Sequence, residues 1–112
     1  MPSKNSRQRL HDILENIEAI QEFTAGFGFP AFAADRKTLY AVTRALEIIS
    51  EASRRLPDDL KKRHPEIDWA GAAAAGNVYR HEYEVVDELQ LWQTVRHELS
   101  ALRAAVMAEL ER

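Results

Sequence analysis

The stretch Trp69-Ala70-Gly71-Ala72-Ala73-Ala74-Ala75-Gly76-Asn77-Val78-Tyr79-Arg80-His81-Glu82-Tyr83 decides how this chain folds. Its first half has almost no side-chain bulk. Its second half is crowded with polar and aromatic groups. A glycine inside a helix costs about 1 kcal/mol relative to alanine. Two glycines in one helix therefore need a reason, and close approach of another backbone supplies it, from a neighbouring helix or a dimer mate. The second half continues the helical spacing. Asn77, His81 and Glu84 recur on one stripe, with Arg80 and Tyr83 on an adjoining one. Residues three or four apart are neighbours on a helix, so an amide, an imidazole, a guanidinium and a phenol come together. Imidazole exchanges a proton near neutral pH, and guanidinium holds phosphate through two parallel hydrogen bonds. Metal-free cleavage of RNA needs such groups, and a buried polar network can also be built from them.

Working outward, Leu10, Ile13, Leu14, Ile17 and Ile20 mark an amphipathic helix from about Ser6 to Thr24. Gly26, Gly28 and Pro30 end it, and Phe27, Phe29 and Phe32 in the following loop read as a plug for the end of a helical core. Asp35 is placed to cap a second helix, whose inner stripe is Leu39, Val42, Leu46 and Ile49 and which should run to about Arg55. Pro57, Asp58 and Asp59 start a short helical turn that stops before Pro65. The run Lys61-Lys62-Arg63-His64 reads as a solvated face, with a phosphate-facing rim as the alternative. A third long helix begins near Asp68 and Trp69, and Val85-Val86-Asp87 interrupts the pattern. Asp87 then caps a last helix, lined by Leu91, Val95, Leu99 and Leu102 and continued by Val106 and Leu110. No strand pattern, repeat or low-complexity linker is present. The expectation is an all-α fold, an antiparallel bundle of four main helices, forming a single domain over residues 1–112.

Length and composition agree with that expectation. A chain of 112 residues, 46% hydrophobic and 29% charged, suits one globular domain, and its modest core gains from burying more surface in a homodimer. The net charge of −3 argues against a broad basic surface for nucleic acid, while leaving room for a local basic cleft. There is no cysteine, which excludes disulfides and thiolate metal sites. The four histidines are far apart in sequence and no HExxH pair occurs, so neither a metal nor another cofactor is expected. No apolar run approaches ~20 residues, and the polar start from Met1 to Leu10 lacks a signal-peptide core. The expected setting is soluble and cytoplasmic, with no membrane contact.

An ordered series of residues resembles the HepT-like family of the HEPN superfamily of small all-helical proteins. The series comprises Ile48-Ile49-Ser50-Glu51-Ala52, Pro65-Glu66-Ile67-Asp68-Trp69, Asn77, His81-Glu82-Tyr83, Val86-Asp87 and Leu91-Trp92. The resemblance implies a HEPN-like helical bundle and a toxin subunit of a two-gene, type II/VII-like toxin–antitoxin system. It implies a metal-independent endoribonuclease acting as a homodimer, with its cleft at the dimer interface. It also implies a nucleotidyltransferase antitoxin of the MNT type, which silences the toxin by attaching AMP to the tyrosine two residues after the motif histidine. By position, that histidine is His81 and that tyrosine is Tyr83. One position departs from the pattern. Where the family places an arginine, just before the asparagine, this chain has Gly76. Glycine cannot bind phosphate or stabilise developing charge as that arginine would. Arg80 is the available substitute, roughly 100° around the helix from His81. Either this branch has moved its arginine, or its nuclease activity has been lost or changed.

Each candidate residue has a bland reading beside the functional one. His81 is either a core histidine held by Asn77 and a carbonyl, or the general acid–base for transfer of a 2′-hydroxyl onto the adjacent phosphate. Arg80 either pairs with Glu84 in a surface salt bridge of little value or binds the scissile phosphate. Asn77 positions His81 or the backbone in both readings. Tyr83 is either an amphipathic helix residue or the AMP acceptor, where added charge beside Arg80 would compete with RNA phosphate. Trp69 and Trp92 read as core or interface anchors, and His11, His64 and His97 as surface residues without a role. The rival to the ribonuclease is a non-catalytic HEPN-type helical partner, or nucleotide-binding subunit, of a nucleotidyltransferase.

Overall fold

The computed structural model describes residues 4–81 and 87–112, with side chains described over 5–76 and 87–112. Within these residues the chain is all helical. α1 spans Lys4–Phe23, and its predicted stripe is its buried face: Leu10, Ile13, Ile17 and Ile20 are fully buried. Thr24 still donates to the Ile20 carbonyl, after which Gly26 takes a left-handed φ of 79° that a side chain would strain. The chain then turns towards its second segment.

That segment departs from the expected loop. Phe29–Ala34 forms a short helix, α2, in which Gly28 is the N-cap and Pro30 sits in the first turn. Proline fits there because the amides it lacks or blocks would have no helical partner anyway. The helix drives Phe32 into the core at 0% exposure, while Phe27 and Phe29 pack half-buried against it. α3 follows over Arg36–Arg54. Asp35 caps it as expected, accepting from the Thr38 amide (3.3 Å) and hydroxyl (3.0 Å). Val42, Ala45, Leu46, Ile49 and Ala52 face inward.

The turn after Pro57 is α4, Asp58–Lys62, and α5 covers Trp69–His81. Asp68 accepts from the Gly71 amide (3.0 Å), capping α5. Asp87 caps α6, Glu88–His97, by accepting from Leu89 (2.9 Å). The expected last helix is in fact two. At Glu98 the backbone opens to φ −109°, and α7 restarts over Leu99–Leu110. The apolar spacing runs through this break without a pause. Its cause is tertiary: α6 packs on α2, whereas α7 packs on α1. α1 and α5 both lie against α3, which is the centre of the bundle.

In the basic run Lys61–His64, Lys62 is exposed, whereas Arg63 and His64 are tied to a buried acid. Arg63 donates both Nε (3.1 Å) and Nη2 (2.7 Å) to Glu109 of α7, and His64 Nε2 lies 2.7 Å from the same carboxylate. His64 was expected on the surface. Its side chain is only 12% exposed, because it is the bridge to a buried acid. Trp69 completes this junction, its indole N–H shared between the Lys61 and His64 carbonyls at 3.1 Å each. Trp92 is likewise a core anchor: its ring centroid lies 5.0 Å from that of Phe32 and 6.4 Å from that of Phe29.

Candidate functional site

Asn77, Arg80 and His81 occupy the C-terminal turns of α5. Their backbone is helical, so Asn77 and His81 fall one turn apart on the same stripe and Arg80 falls on the adjoining one. The structure thus keeps on one helix the three residues that the sequence spacing brought together. Their side chains lie outside the described ones, and Tyr83 and Glu84 lie outside the described residues altogether.

The turn that delivers this segment is described in full. Gly76 is buried against α3, and its N–H donates to Ser50 Oγ at 2.9 Å. The same hydroxyl lies 2.6 Å from the Ala72 carbonyl oxygen and 3.0 Å from that of Ala73. One hydroxyl proton serves one carbonyl at a time, so it is shared between the two. Ser50 itself is 4% exposed. A Cβ on residue 76 would meet Ser50 Oγ at 2.5 Å and Ser50 Cβ at 2.9 Å. The close approach expected at Gly76 is therefore that of a neighbouring helix within the chain. A side chain at this position would require Ser50 of α3 to shift. Gly71 has a different reason, since it sits on the capping carboxylate of Asp68. Ser50 stood in the family-like series without any assigned role. The one signal for it was a hydroxyl residue set in the apolar stripe beside Ile49.

A cleft of about 420 Å³ opens between α3, the first half of α5 and the α6–α7 junction. Its floor is apolar, with Leu46, Ile49, Ile67, Leu99 and Leu102. Among the described residues its charged lining is Glu66, Asp68 and Glu98, with the imidazole of His97 beside them. Among the described residues no cluster of His, Cys, Asp and Glu could hold a metal ion, and no helix is long and apolar enough to cross a membrane.

Two carboxylates are held well below the usual range. The Arg63 guanidinium, bonded to Glu109, lowers that carboxyl from 4.5 to about 2, with His64 adding to the effect and burial opposing it. Hydrogen bonds from Arg54 and then Arg55 lower Glu51 to about 2 in the same way. Both are structural pairings remote from the Asn77–His81 turn in sequence.

The all-helical bundle defines the fold class, and comparison with known proteins gives the family. The model of the HepT-like family, described as ribonuclease HepT-like, matches residues 13–109. The chain belongs to this family. It is 44% identical over 100 residues to a protein of Thermococcus cleftensis named "Probable ribonuclease HepT", covering 89% of this chain and 91% of that one. It is 39% identical over 95 residues to a protein of Methanocaldococcus jannaschii provisionally named as an RNase, covering 85% and 78%. A protein of Caldanaerobacter subterraneus subsp. tengcongensis, also provisionally named as an RNase, is 31% identical over 109 residues, 97% of each chain. No solved structure was found to match the chain.

Proposed function

We propose that this chain is a metal-independent endoribonuclease, the toxin subunit of a two-gene toxin–antitoxin pair in the cytoplasm. The observation that carries this reading is the family match over residues 13–109, which includes the Asn77–His81 turn. The chain works as one domain, and two copies share a cleft formed at a homodimer interface. His81 removes the proton of an RNA 2′-hydroxyl, whose oxygen attacks the adjacent phosphorus. The bond from phosphorus to the 5′-oxygen breaks, that oxygen takes up a proton from water, and a 2′,3′-cyclic phosphate remains. Arg80 holds the phosphate oxygens and offsets the charge that builds on them. Asn77 orients His81. The partner is a nucleotidyltransferase antitoxin of the MNT type that places AMP on Tyr83. An adenylylated tyrosine near Arg80 competes with RNA phosphate for the same guanidinium.

The test is induced expression with and without the partner gene. Wild type should arrest growth, whereas His81→Ala and Arg80→Ala should not. Purified protein should cleave RNA in EDTA and leave cyclic phosphate ends. Mass spectrometry after incubation with partner and ATP should find AMP on Tyr83. Harmless, unmodified wild type would instead favour the second reading, a non-catalytic helical partner of the nucleotidyltransferase. The observation on that side is again Gly76, which leaves the family's arginine position empty of charge.

A further inference from the structure

We infer that Ser50 is a positioning residue for the Asn77–His81 turn, acting through its hydroxyl inserted between Ala72 and Gly76 of α5. The inference rests on the functional reading above and extends it to a residue on a different helix. In an undisturbed helix the Gly76 N–H would donate to the Ala72 carbonyl, four residues back. Here Ser50 Oγ accepts from that N–H at 2.9 Å and stands 2.6 Å from that carbonyl oxygen. A side chain bonded to both groups of one rung fixes where that turn sits against α3, and such contacts can tilt a helix. Asn77 follows Gly76 directly, and His81 lies five residues on, about 7.5 Å along the axis. A tilt of about 10° at Gly76 would move the His81 backbone by about 1.3 Å, and displacement by about 1 Å can cost about a hundredfold in rate. Glycine at 76 is what admits the hydroxyl. The two residues are one device, which aims α5 by fastening it to the central helix.

Ser50→Ala separates positioning from folding. Without the hydroxyl, the Gly76 N–H and the Ala72 carbonyl can bond each other, so the protein should fold with little change in melting temperature. Its kcat should drop about ten- to a hundredfold while KM stays within about threefold. The double variant Ser50→Gly/Gly76→Ala transfers the Cβ from α3 to α5, relieving the clash without restoring the hydroxyl. It should fold yet remain as slow as Ser50→Ala. Recovery of wild-type kcat in the double variant would show that packing alone matters and would overturn the inference.

A readout independent of cleavage is the proton–carbon NMR signal of the His81 ring, assigned by its loss in His81→Ala. It should move in Ser50→Ala while the signals of His11 and His97 stay in place. An unmoved His81 signal would overturn the inference, whether or not RNA is cleaved. A wild type that cleaves no RNA, yet whose His81 signal follows Ser50, would remove the proposed ribonuclease and leave the positioning intact.

Discussion

Replacing Glu109 with glutamine should cost stability at neutral pH and flatten the acid limb of the stability curve. Glu109 is 3% exposed and receives a two-pronged bond from Arg63 together with His64. Its carboxyl is lowered from 4.5 to about 2. At about 1.4 kcal/mol per pH unit, that depression corresponds to at most about 3.5 kcal/mol. Arg63 is one-third exposed, and water screens its side of the pair, so about 2 kcal/mol is the working figure. The folded value lies below the unfolded one. The stabilisation is therefore fully present well above pH 4.5, falls progressively below that, and is lost as the pH passes through about 2. Urea unfolding followed by circular dichroism, for wild type and Glu109→Gln between pH 7 and pH 2.5, measures the difference directly. Glu51 titrates over the same window in both proteins, so it cancels in the comparison. The gap should be about 2 kcal/mol at pH 7 and fall to about a quarter of that at pH 2.5. A gap that stays constant across the range would refute the reasoning, because it would owe nothing to the charge.

Ser53 is 1% exposed and its hydroxyl has no hydrogen-bond partner among the described residues. Ser53→Ala should therefore raise stability by about 1 kcal/mol in the same urea assay, since the folded state would no longer bury an unpaired polar group. Phe32 is fully buried against the Trp92 ring. Phe32→Ala should cost about 3–5 kcal/mol and lower the melting temperature by more than about 10 °C. A loss below about 1 kcal/mol would mean that α2 is not part of the core.

Features set by neighbours in sequence were legible before any coordinates. The α1 stripe and the caps at Asp35 and Asp87 depend on residues within one or two turns, and the structure places them as expected. α2 was hidden because Gly28 and Pro30 were read only as breakers, although a proline near the start of a helix is equally a start signal. The break at Glu98 has no local mark, since Leu91, Val95, Leu99 and Leu102 keep their spacing through it. His64 was misplaced because its partner, Glu109, is 45 residues away. At the candidate site, the shared helix of Asn77, Arg80 and His81 was readable from spacing alone. The crowding of Gly76 was readable too, but not the identity of Ser50 as what crowds it. Tyr83 lies outside the described residues, and its role rests on position within the family pattern.

The Glu109 junction has a consequence for the order of folding. Arg63 and His64 bond an acid about 45 residues further along the sequence, and Arg7 reaches across to the Leu110 carbonyl at 3.4 Å. α1 also leans on α7. Contacts so far apart in sequence close long loops, and that entropy is spent before the contact rewards it. The bundle is therefore sealed late in folding, and until then Arg63 and His64 stand without their carboxylate.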